Sequence, residues 1–566
     1  MKGDEMLNNN PSNGFSHVVG DTSEPLSEQT IPELLARTVS AFPEREAVVF
    51  PTQDIRWTWA EFARQVDRLA GGLFSLDIKK GDRVGIWSPN RIEWIMTQFA
   101  TARIGAILVC INPAYRPYEL EFALNSVGCK ALVTARSFKS SDYIGMLQGV
   151  APELSSATPG DLRAAKAPDL RAIITVGQET APRGMLSFKN TLDLGDEVLV
   201  ADLDAITDTL DQNDPINIQF TSGTTGSPKG ACLTHRNIVN NAHFVTARMN
   251  LTEKDRLCIP VPFYHCFGMV MGTLGCVTKG TAIIVPGEGF DPLDTLKAIS
   301  NERCTALYGV PTMFVAELGL PEFDSYDLSS LRTGIMAGSP CPASVMRAVF
   351  DKMNMTEVTI CYGMTETSPV SFQTGVDAPT EKRISTVGTI HPHVECKVVN
   401  PAGETVEIGQ QGELLTRGYS VMSEYWNDPE RTSDTIKDGW MHTGDLAVLD
   451  QDGYCDITGR VKDMIIRGGE NIYPKEVEEF LYTHPGVGQA QVFGIPDPTL
   501  GEVVCAWIVP NDGVDIDLEV LRHFCKGQMA HYKVPLHFRL KDELPMTVSG
   551  KPQKFIMSAA MIRELQ

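Results

Sequence analysis

The residues from 221 to 230 carry the densest chemical signal in the sequence and read TSGTTGSPKG. Backbone N–H groups and hydroxyls can wrap the oxygens of an oligophosphate, glycine lets the chain approach closely, and lysine supplies positive charge. We therefore predict a phosphate-binding loop. Its contacts are expected from Thr221, Ser222, Gly223, Thr224, Thr225, Gly226, Ser227, Pro228 and Lys229.

Two other interpretations of this segment are weaker. A Walker loop ends in Gly-Lys-Ser/Thr, whereas the order here is Lys229-Gly230, so the mechanism of the P-loop NTPases is not expected. A flexible Gly/Ser linker rarely combines such density with Pro228 and a single lysine. The segment lies between an apolar run at 216–218 and a helix that we expect to begin near Arg236.

Two short motifs further along the chain could complete a nucleotide site. Residues 362–366 read YGMTE and follow an apolar run ending at Cys361, where a parallel sheet delivers ligand-binding loops. Residues 440–445 read WMHTGD, which places Asp445 in a glycine turn, and Arg460 follows. Alone, these motifs could be ordinary turns and a surface ion pair. Because the motifs occur together and in this order along the chain, a functional role is favoured over ordinary turns.

Together, the motifs resemble those of the adenylate-forming superfamily, which comprises acyl-CoA synthetases, peptide-synthetase adenylation domains and beetle luciferases. The resemblance extends from about residue 30 to 560 and is closest to medium- and long-chain fatty acyl-CoA synthetases. It implies a ligase that activates a carboxylic acid with ATP, releases pyrophosphate, and transfers the acyl group from AMP to CoA. The implied cofactors are ATP, CoA and Mg²⁺.

The resemblance implies roles for the residues of these motifs. Tyr362 would flank the adenine, Thr365 would contact the α-phosphate, and Glu366 would help to hold Mg²⁺. That metal role is chemically sensible because Mg²⁺ prefers a carboxylate together with phosphate oxygens. Asp445 would accept hydrogen bonds from the ribose hydroxyls, and Arg460 would be a second ribose or phosphate contact.

The resemblance extends to two basic residues. Lys551 ends the segment PMTVSGK and would reach the substrate carboxylate and the α-phosphate during adenylation. An ammonium held there would stabilise the charge that builds up in the transition state. His265, in PFYHCFG, would lie beside the carboxylate or the phosphates, although a lone histidine is more often a hydrogen-bonded core residue.

Further positions relate to the cofactors and to domain movement. Gly338 would contact a cofactor, and Gly468 and Gly469 would face the pantetheine tunnel, although a simple turn before a helix also fits the glycine pair. The hinge position of the family falls on Lys462, where many members have aspartate. The C-terminal domain would swing about this residue between the two half-reactions.

The expected substrate is an acid with an uncharged alkyl tail. The segments that would build the acyl pocket, at 269–275, 308–312 and 334–339, are apolar and rich in small residues. They contain no Lys or Arg, and Arg332 lies just outside them. This favours a medium- to long-chain fatty acid. The alternatives are a short, branched or aromatic acid, a carrier protein as acceptor instead of CoA, and a non-catalytic nucleotide or acyl sensor.

The fold that must position these residues is predicted to be α/β. From Asp82 onward, apolar runs alternate with helical segments, which is typical of a doubly wound parallel sheet, and this rhythm returns up to about residue 420. The last hundred residues read as a small α+β module. We predict a polar extension at 1–30, an AMP-binding domain at 31–461 and a mobile C-terminal domain at 462–566.

Composition excludes several classes of protein. The 566 residues are 43% hydrophobic and 21% charged, which is ordinary globular composition. A net charge of −22 argues against nucleic acid as a partner, and Arg103 and Lys279 interrupt the most apolar stretches, so no membrane span is expected. The N-terminal residues lack the pattern of a signal peptide, which favours the cytoplasm. A homodimer is compatible with the sequence, which leaves the oligomeric state open.

Overall fold

Four sheets of five or more strands organise the chain in a computed structural model. The structure describes residues 11, 14–178, 180–221, 228–467, 470–526, 528–547 and 551–565. Three sheets form what we call the N-terminal lobe, and the fourth forms the C-terminal lobe, which begins at Ile465. Within these described ranges, none of the helices has both the length and the apolar character needed to cross a bilayer.

The first sheet of the N-terminal lobe is parallel except at one edge. Its last three strands, Pro215–Thr221, Lys229–Thr234 and Glu424–Tyr425, pair antiparallel. In spatial order its strands are Leu186–Ser187, Ala172–Thr175, Cys129–Thr134, Arg83–Trp87, Ile107–Cys110, Pro215–Thr221, Lys229–Thr234 and Glu424–Tyr425.

The second sheet is also parallel in its centre and antiparallel at both edges. The strand Glu357–Gly363 delivers the segment YGMTE at its carboxyl end. In spatial order the strands are Thr389–Ile390, Val370–Gln373, Glu357–Gly363, Thr333–Met336, Ala306–Gly309, Arg256–Cys258, Ala282–Ile284, Glu46–Phe50 and Ile55–Thr58.

The third sheet is antiparallel throughout. It carries Asp445 and Arg460 on the paired strands Trp440–Leu449 and Cys455–Arg460. The others are His17–Val19, Val394–Val399, Gly412–Gly418 and Ile436–Lys437. A separate hairpin pairs Ser137–Phe138 with Ser141–Asp142.

The C-terminal lobe has its own sheet and its own apolar core. Its long hairpin joins Val487–Asp497 to Gly501–Pro510, and the remaining strands are Ile465–Arg467, Glu470–Ile472 and His537–Leu540. The helices Pro474–Leu481, Leu518–Cys525 and Lys554–Leu565 complete the lobe.

Helices cover the sheets of the N-terminal lobe. Ile92–Arg103 is buried on almost every face, as expected for a helix that is apolar nearly all round. The other α-helices are Ile31–Ala41, Trp59–Ser75, Pro117–Val127, Tyr143–Val150, Phe188–Gly195, Val200–Thr207, His235–Arg248, Gly275–Lys279, Pro292–Glu302, Pro311–Leu318, Ala343–Lys352, Thr380–Ser385 and Pro429–Thr435. Short 3₁₀ turns occur at Pro51–Gln53, Pro152–Ser155, Phe323–Ser325 and Thr365–Thr367, and Phe267–Leu274 is a π-helix.

The predicted α/β class is confirmed, with two local corrections. The doubly wound pattern was expected to reach about residue 420, but the strands Val394–Val399 and Gly412–Gly418 belong to the antiparallel third sheet. The helix expected near Arg236 begins at His235, as predicted, but the strand Lys229–Thr234 that precedes it was not predicted. The domain boundary near Val461 stays a prediction.

A partly buried ion pair within the second sheet joins Asp255, just before the strand Arg256–Cys258, to Arg332, just before the strand Thr333–Met336. Asp255 is 5% exposed and accepts hydrogen bonds from Arg332 at 2.9 Å, Thr305 at 2.7 Å and the Thr252 N–H at 2.8 Å. Burial alone would raise the pKa of Asp255, but these donors outweigh it and lower the pKa. Arg332 also pairs with Glu357, whose side chain is 40% exposed.

We expect Asp255→Ala to destabilise the protein by about 3–5 kcal/mol, because it leaves Arg332 partly buried without its main partner. The stabilisation should be complete above about pH 4 and lost as the pH falls through the lowered pKa. Urea denaturation at several pH values measures both effects. Glu357→Ala, which removes the exposed partner of the same arginine, should cost about 0–1 kcal/mol. Equal losses for the two variants would contradict this account.

Candidate active site

The predicted phosphate loop connects two antiparallel strands. Thr221 ends one strand and Lys229 begins the next, and the two residues lie opposite each other in the register. Residues 222–227 lie outside the described part of the chain, so the predicted contacts of Ser222, Gly223, Thr224, Thr225, Gly226 and Ser227 stay predictions. The described ends nevertheless fix where the loop leaves and rejoins the sheet.

Glu366 joins three elements at this end of the lobe. Its carboxylate Oε1 accepts a hydrogen bond from the Tyr425 hydroxyl at 2.7 Å and another from Thr221 Oγ1 at 3.3 Å. The residue is 6% exposed, and its backbone carbonyl accepts from the Met422 N–H at 2.9 Å. The acidic residue of YGMTE thus lies directly beside the base of the phosphate loop.

Lys229 adds positive charge near the same carboxylate. Its Nζ lies 4.9 Å from the centroid of the Tyr425 ring, and that tyrosine hydroxyl donates to Glu366. Burial is the main reason that the pKa of Tyr425 is raised, and Glu366 raises it further, so the hydroxyl stays protonated as a donor. Sequence reasoning did not identify Tyr425, because it lies on a two-residue strand with no recognisable motif.

A second cluster forms around Asp445. Its carboxylate accepts a hydrogen bond from the Tyr362 hydroxyl at 2.5 Å on Oδ2 and from Arg460 Nε at 2.9 Å on Oδ1. Asp445 is 5% exposed, and the preceding Gly444 has φ of +70°, a conformation that favours glycine. Arg460 lies directly opposite Asp445 in the antiparallel register, which explains why residues fifteen positions apart meet.

The electrostatics of this cluster fix its protonation states. Burial raises the pKa of Tyr362 well above its usual value, and the negative charge of Asp445 adds to the effect. The attraction of Asp445 also raises the pKa of Arg460. Tyr362 and Arg460 are therefore donors, and Asp445 is the acceptor. Each carboxylate oxygen can accept more than one hydrogen bond, so Asp445 keeps capacity for a ligand hydroxyl.

Lys551 brings a charge from the C-terminal lobe to both clusters. Residues 548–550 lie outside the description, but Lys551 N–H donates to Thr547 Oγ1 at 2.9 Å and its carbonyl accepts from Thr547 N–H at 2.7 Å. Burial and the charge of Arg460 lower the pKa of Lys551, whereas Glu366 and Asp445 act in the opposite direction. The residue still has exposed surface, as expected for a side chain in an open cleft.

His265 and Thr365 lie on the same cleft. The pKa of His265 is lowered to about 3 by burial and, secondarily, by the charge of Lys551. The thiol of Cys266, the next residue after His265, donates to Gln219 Oε1 at 3.1 Å, and Thr365 is close enough to affect the pKa of that thiol. Burial raises the pKa of Cys266 well above its usual value, so this thiol is a packing group and not a nucleophile.

The other predicted positions are less informative. Gly338 is exposed and has φ of +94°, two residues after the end of the strand Thr333–Met336. The predicted cofactor contact of Gly338 stays a prediction. Gly468 and Gly469 fall outside the described residues, so their predicted role at the pantetheine tunnel also stays a prediction.

The cleft therefore combines charges suited to nucleotide chemistry. Glu366 and Asp445 are buried carboxylates whose charges act on the ammonium of Lys551, and Glu366 also lies at the base of the glycine- and hydroxyl-rich loop. An ammonium and N–H donors can hold phosphate oxygens, and a buried carboxylate can accept from ribose hydroxyls. Among the described residues, no group of three or more His, Cys, Asp or Glu side chains could hold a metal ion by itself.

Comparison with known proteins identifies the family of the chain. The family described as AMP-binding enzyme matches residues 35–426, and the AMP-binding enzyme C-terminal domain matches residues 476–551. The chain therefore belongs to the AMP-binding enzymes, the adenylate-forming ligases. The mitochondrial medium-chain acyl-CoA ligase ACSF2 of Danio rerio is 48% identical over 548 residues, which cover 96% of this chain and 90% of the relative.

Solved structures show the same architecture. ATP-bound MatB from Rhodopseudomonas palustris is 28% identical with a TM-score of 0.80, and the match covers 94% of this chain and 99% of that chain. The anthranilate CoA ligase AuaEII in complex with anthranoyl-AMP is 25% identical with a TM-score of 0.81, covering 95% of this chain and 98% of that chain. The predicted superfamily and fold are thus confirmed.

We expect the pH profile of adenylation to lack an inflection from His265. Because its pKa is about 3, the imidazole stays neutral throughout the usual assay range of about pH 5–9. The lowered pKa of Lys551 predicts instead that activity falls on the alkaline side, as the ammonium loses its proton at lower pH than a free lysine would. The dependence of kcat/KM on pH measures both effects.

His265→Gln is the matching control for this profile. The variant should retain the shape of the wild-type curve, whatever its absolute rate. An acid-side inflection near pH 6.5 that disappears in His265→Gln would contradict the neutral imidazole.

Proposed function

We propose that the protein is an acid–CoA ligase that activates a medium- to long-chain fatty acid with ATP and forms acyl-CoA, AMP and pyrophosphate. The observation that carries this proposal is the pair of carboxylate clusters, in which Glu366 accepts from Thr221 at the base of the phosphate loop and Asp445 accepts from Tyr362 and Arg460. The charge of Lys551, from the C-terminal lobe, acts on both clusters.

In the first step, an oxygen of the fatty carboxylate attacks the α-phosphorus of ATP, and the bond to the bridging oxygen of pyrophosphate breaks. Negative charge builds up on the α-phosphoryl oxygens, where Lys551 would stabilise it. Thr365 would contact the same phosphate, and the loop beginning at Thr221 would hold the departing pyrophosphate. Asp445 would bind the ribose, and His265 would pack beside the carboxylate as a neutral side chain.

In the second step, the thiolate of CoA attacks the carbonyl carbon of the acyl-adenylate, and AMP leaves as the bond to the phosphate oxygen breaks. This step needs no covalent bond to the protein. The buried thiols Cys266 and Cys361 support that view, because burial raises the pKa of both well above its usual range. Positioning and charge therefore account for the chemistry.

Glu366 fits a role in holding Mg²⁺ together with the nucleotide. It offers one buried carboxylate beside the phosphate loop, and Mg²⁺ is usually bound by one or two carboxylates plus substrate phosphates. When bound, the ion would neutralise charge on the phosphates. Glu366 itself is held in place by Tyr425 and Thr221.

The proposed substrate class rests on the uncharged surroundings of the acyl segments. Tyr308 is fully buried, its hydroxyl donates to the Met271 carbonyl at 3.2 Å, and its ring lies 5.2 Å from that of Phe267. Arg332, the basic residue nearest these segments in sequence, is engaged with Asp255 and Glu357. A second carboxylate on the substrate would thus find no cation here, and the medium-chain ligases among the relatives support the same class.

We expect CoA-dependent AMP release to peak with saturated acids of intermediate length. Kinetics with a series from acetate to palmitate, plus benzoate and a dicarboxylate, measure the preference as kcat/KM. Each additional buried CH₂ contributes about 0.8 kcal/mol, so the rise from acetate should be steep until the pocket is filled. A preference for acetate, benzoate or a dicarboxylate would contradict the proposal. Acyl-AMP that accumulates despite CoA would indicate a carrier protein as the acceptor.

The cellular location and the oligomeric state of the enzyme are two further parts of the proposal. We retain the cytoplasm as the predicted location, although several relatives are described as mitochondrial. A homodimer likewise remains a prediction.

A further inference from the structure

Lys475 connects the C-terminal lobe to the N-terminal lobe. It lies on the helix Pro474–Leu481, and its Nζ donates to Asp456 Oδ1 at 2.8 Å and to the Ile457 carbonyl at 2.6 Å. Both acceptors belong to the strand Cys455–Arg460 of the third sheet. The lysine side chain is 22% exposed and that of Asp456 is 44% exposed, so the ion pair is partly shielded from water.

The position of Lys475 is not explained by its own helix. The residue lies in the first turn, directly after Pro474, where the helix macrodipole favours acidic side chains and disfavours a cation. Glu476, the next residue, carries the negative charge that the first turn of a helix favours. Glu479, one turn further on, lies 3.6 Å from Lys475 Nζ and offers only a loose, exposed partner. The better partners of Lys475 are therefore those of the other lobe.

The electrostatics of Lys475 agree with this geometry. Burial alone would lower its pKa, but the negative charge of Asp456, followed by that of Glu479, outweighs burial and raises the pKa. The side chain is thus a charged donor with two well-formed hydrogen bonds across the boundary between the lobes.

The strand that receives Lys475 also carries part of the cleft. Asp456 and Ile457 lie near its start, and Arg460, which pairs with Asp445, is its last residue. In the same arrangement of the lobes, the ammonium of Lys551 is influenced by Arg460, Glu366 and Asp445. A contact that fixes the C-terminal lobe against this strand therefore also fixes where Lys551 enters the cleft.

We infer that Lys475 is a positioning residue for adenylation, which acts by holding the C-terminal lobe on the strand Cys455–Arg460 so that Lys551 faces Glu366 and Asp445. Lys475 itself touches no reacting atom in this assignment. The inference rests on the proposed function, because it concerns the acid-activating step of that reaction.

The test separates the two half-reactions of the full-length enzyme. Acyl-AMP formation from decanoate and ATP is measured without CoA, and acyl-CoA formation is measured from supplied decanoyl-AMP and CoA. Lys475→Met should slow the first about tenfold, because a small displacement of a catalytic group is costly. The second should stay within about twofold of wild type, since it does not need Lys551 in the cleft, and the melting temperature should be nearly unchanged.

The matched control is Lys533→Met. Lys533 is 20% exposed and pairs with Glu476 at 2.5 Å. Glu476 is the neighbour of Lys475 on the helix Pro474–Leu481, but this ion pair lies entirely within the C-terminal lobe. Its loss should change both half-reactions by less than about twofold. Asp456→Ala removes the side-chain acceptor that the N-terminal lobe provides to Lys475. It should slow adenylation about threefold, because the Ile457 carbonyl can still accept from Lys475.

The Asp456 variant carries the test if Lys475→Met does not fold. Unchanged adenylation in the variants, or an equal loss of both half-reactions, would overturn the inference. Failure of the proposed function is distinguishable, because the wild-type enzyme would then form no acyl-AMP from a fatty acid and ATP.

Discussion

Lys551→Ala should lower the rate of acyl-AMP formation by about 10²–10³-fold, the usual effect of removing one group that stabilises developing charge. The charges of Arg460, Glu366 and Asp445 act on this ammonium, and charges that are partly shielded from water interact more strongly than in bulk solvent. Thioester formation from supplied acyl-AMP should be nearly unaffected, because the charge on the α-phosphate that Lys551 stabilises builds up only in the first step. Rapid-quench assays of each half-reaction measure this division.

Lys526→Ala is the control for a lost positive charge on the same lobe. Lys526 is exposed at the end of the helix Leu518–Cys525, and its removal should leave both half-reactions intact. Equal losses in the two half-reactions of Lys551→Ala would refute the role proposed for this lysine.

Asp445→Asn should raise KM for ATP and lower kcat/KM for ATP by about 10- to 100-fold. The buried carboxylate accepts from both Tyr362 and Arg460, and the pKa of each donor is raised by it. An amide presents an NH₂ group to one of these donors and removes the charge that balances Arg460. Tyr362 and Arg460 would then be poorly satisfied by the amide, and this weakens binding of the ribose at the same position.

The isosteric control is Asp450→Asn, five residues further along the chain. Asp450 pairs with Lys382 in a partly exposed ion pair, so the loss of its charge should change kcat/KM for ATP by less than about twofold. If Asp445→Asn had an equally small effect, or if it altered KM for the acid instead of KM for ATP, Asp445 would not be the ribose residue.

Parallel strands were the most predictable part of the fold. The strands Arg83–Trp87, Ala306–Gly309 and Glu357–Gly363 are short apolar runs next to helical segments, which is a pattern that burial on both faces produces. The antiparallel third sheet was not predicted, since its strands, such as Val394–Val399, alternate buried and partly exposed residues instead of forming continuous apolar runs. The strand Lys229–Thr234 was missed because it directly follows the glycine-rich loop.

The motifs indicate candidate site residues one by one but do not give their arrangement. Glu366, Asp445, Arg460 and Lys551 each belong to a motif whose residue types suit nucleotide chemistry. Their proximity depends on the register between Asp445 and Arg460 and on the orientation of the C-terminal lobe. Tyr425 and Lys475 act through contacts between distant elements, and no local spacing signals such contacts.

The most direct test of the central claim is a chase experiment on the wild-type enzyme. The enzyme is incubated with ATP, Mg²⁺ and decanoate without CoA, the bound products are analysed, and CoA is then added. The account predicts bound decanoyl-AMP and released pyrophosphate in the first phase, and stoichiometric conversion to decanoyl-CoA and AMP after CoA is added. If no decanoyl-AMP forms, or if it forms and CoA does not discharge it, this cleft does not carry out the reaction proposed here.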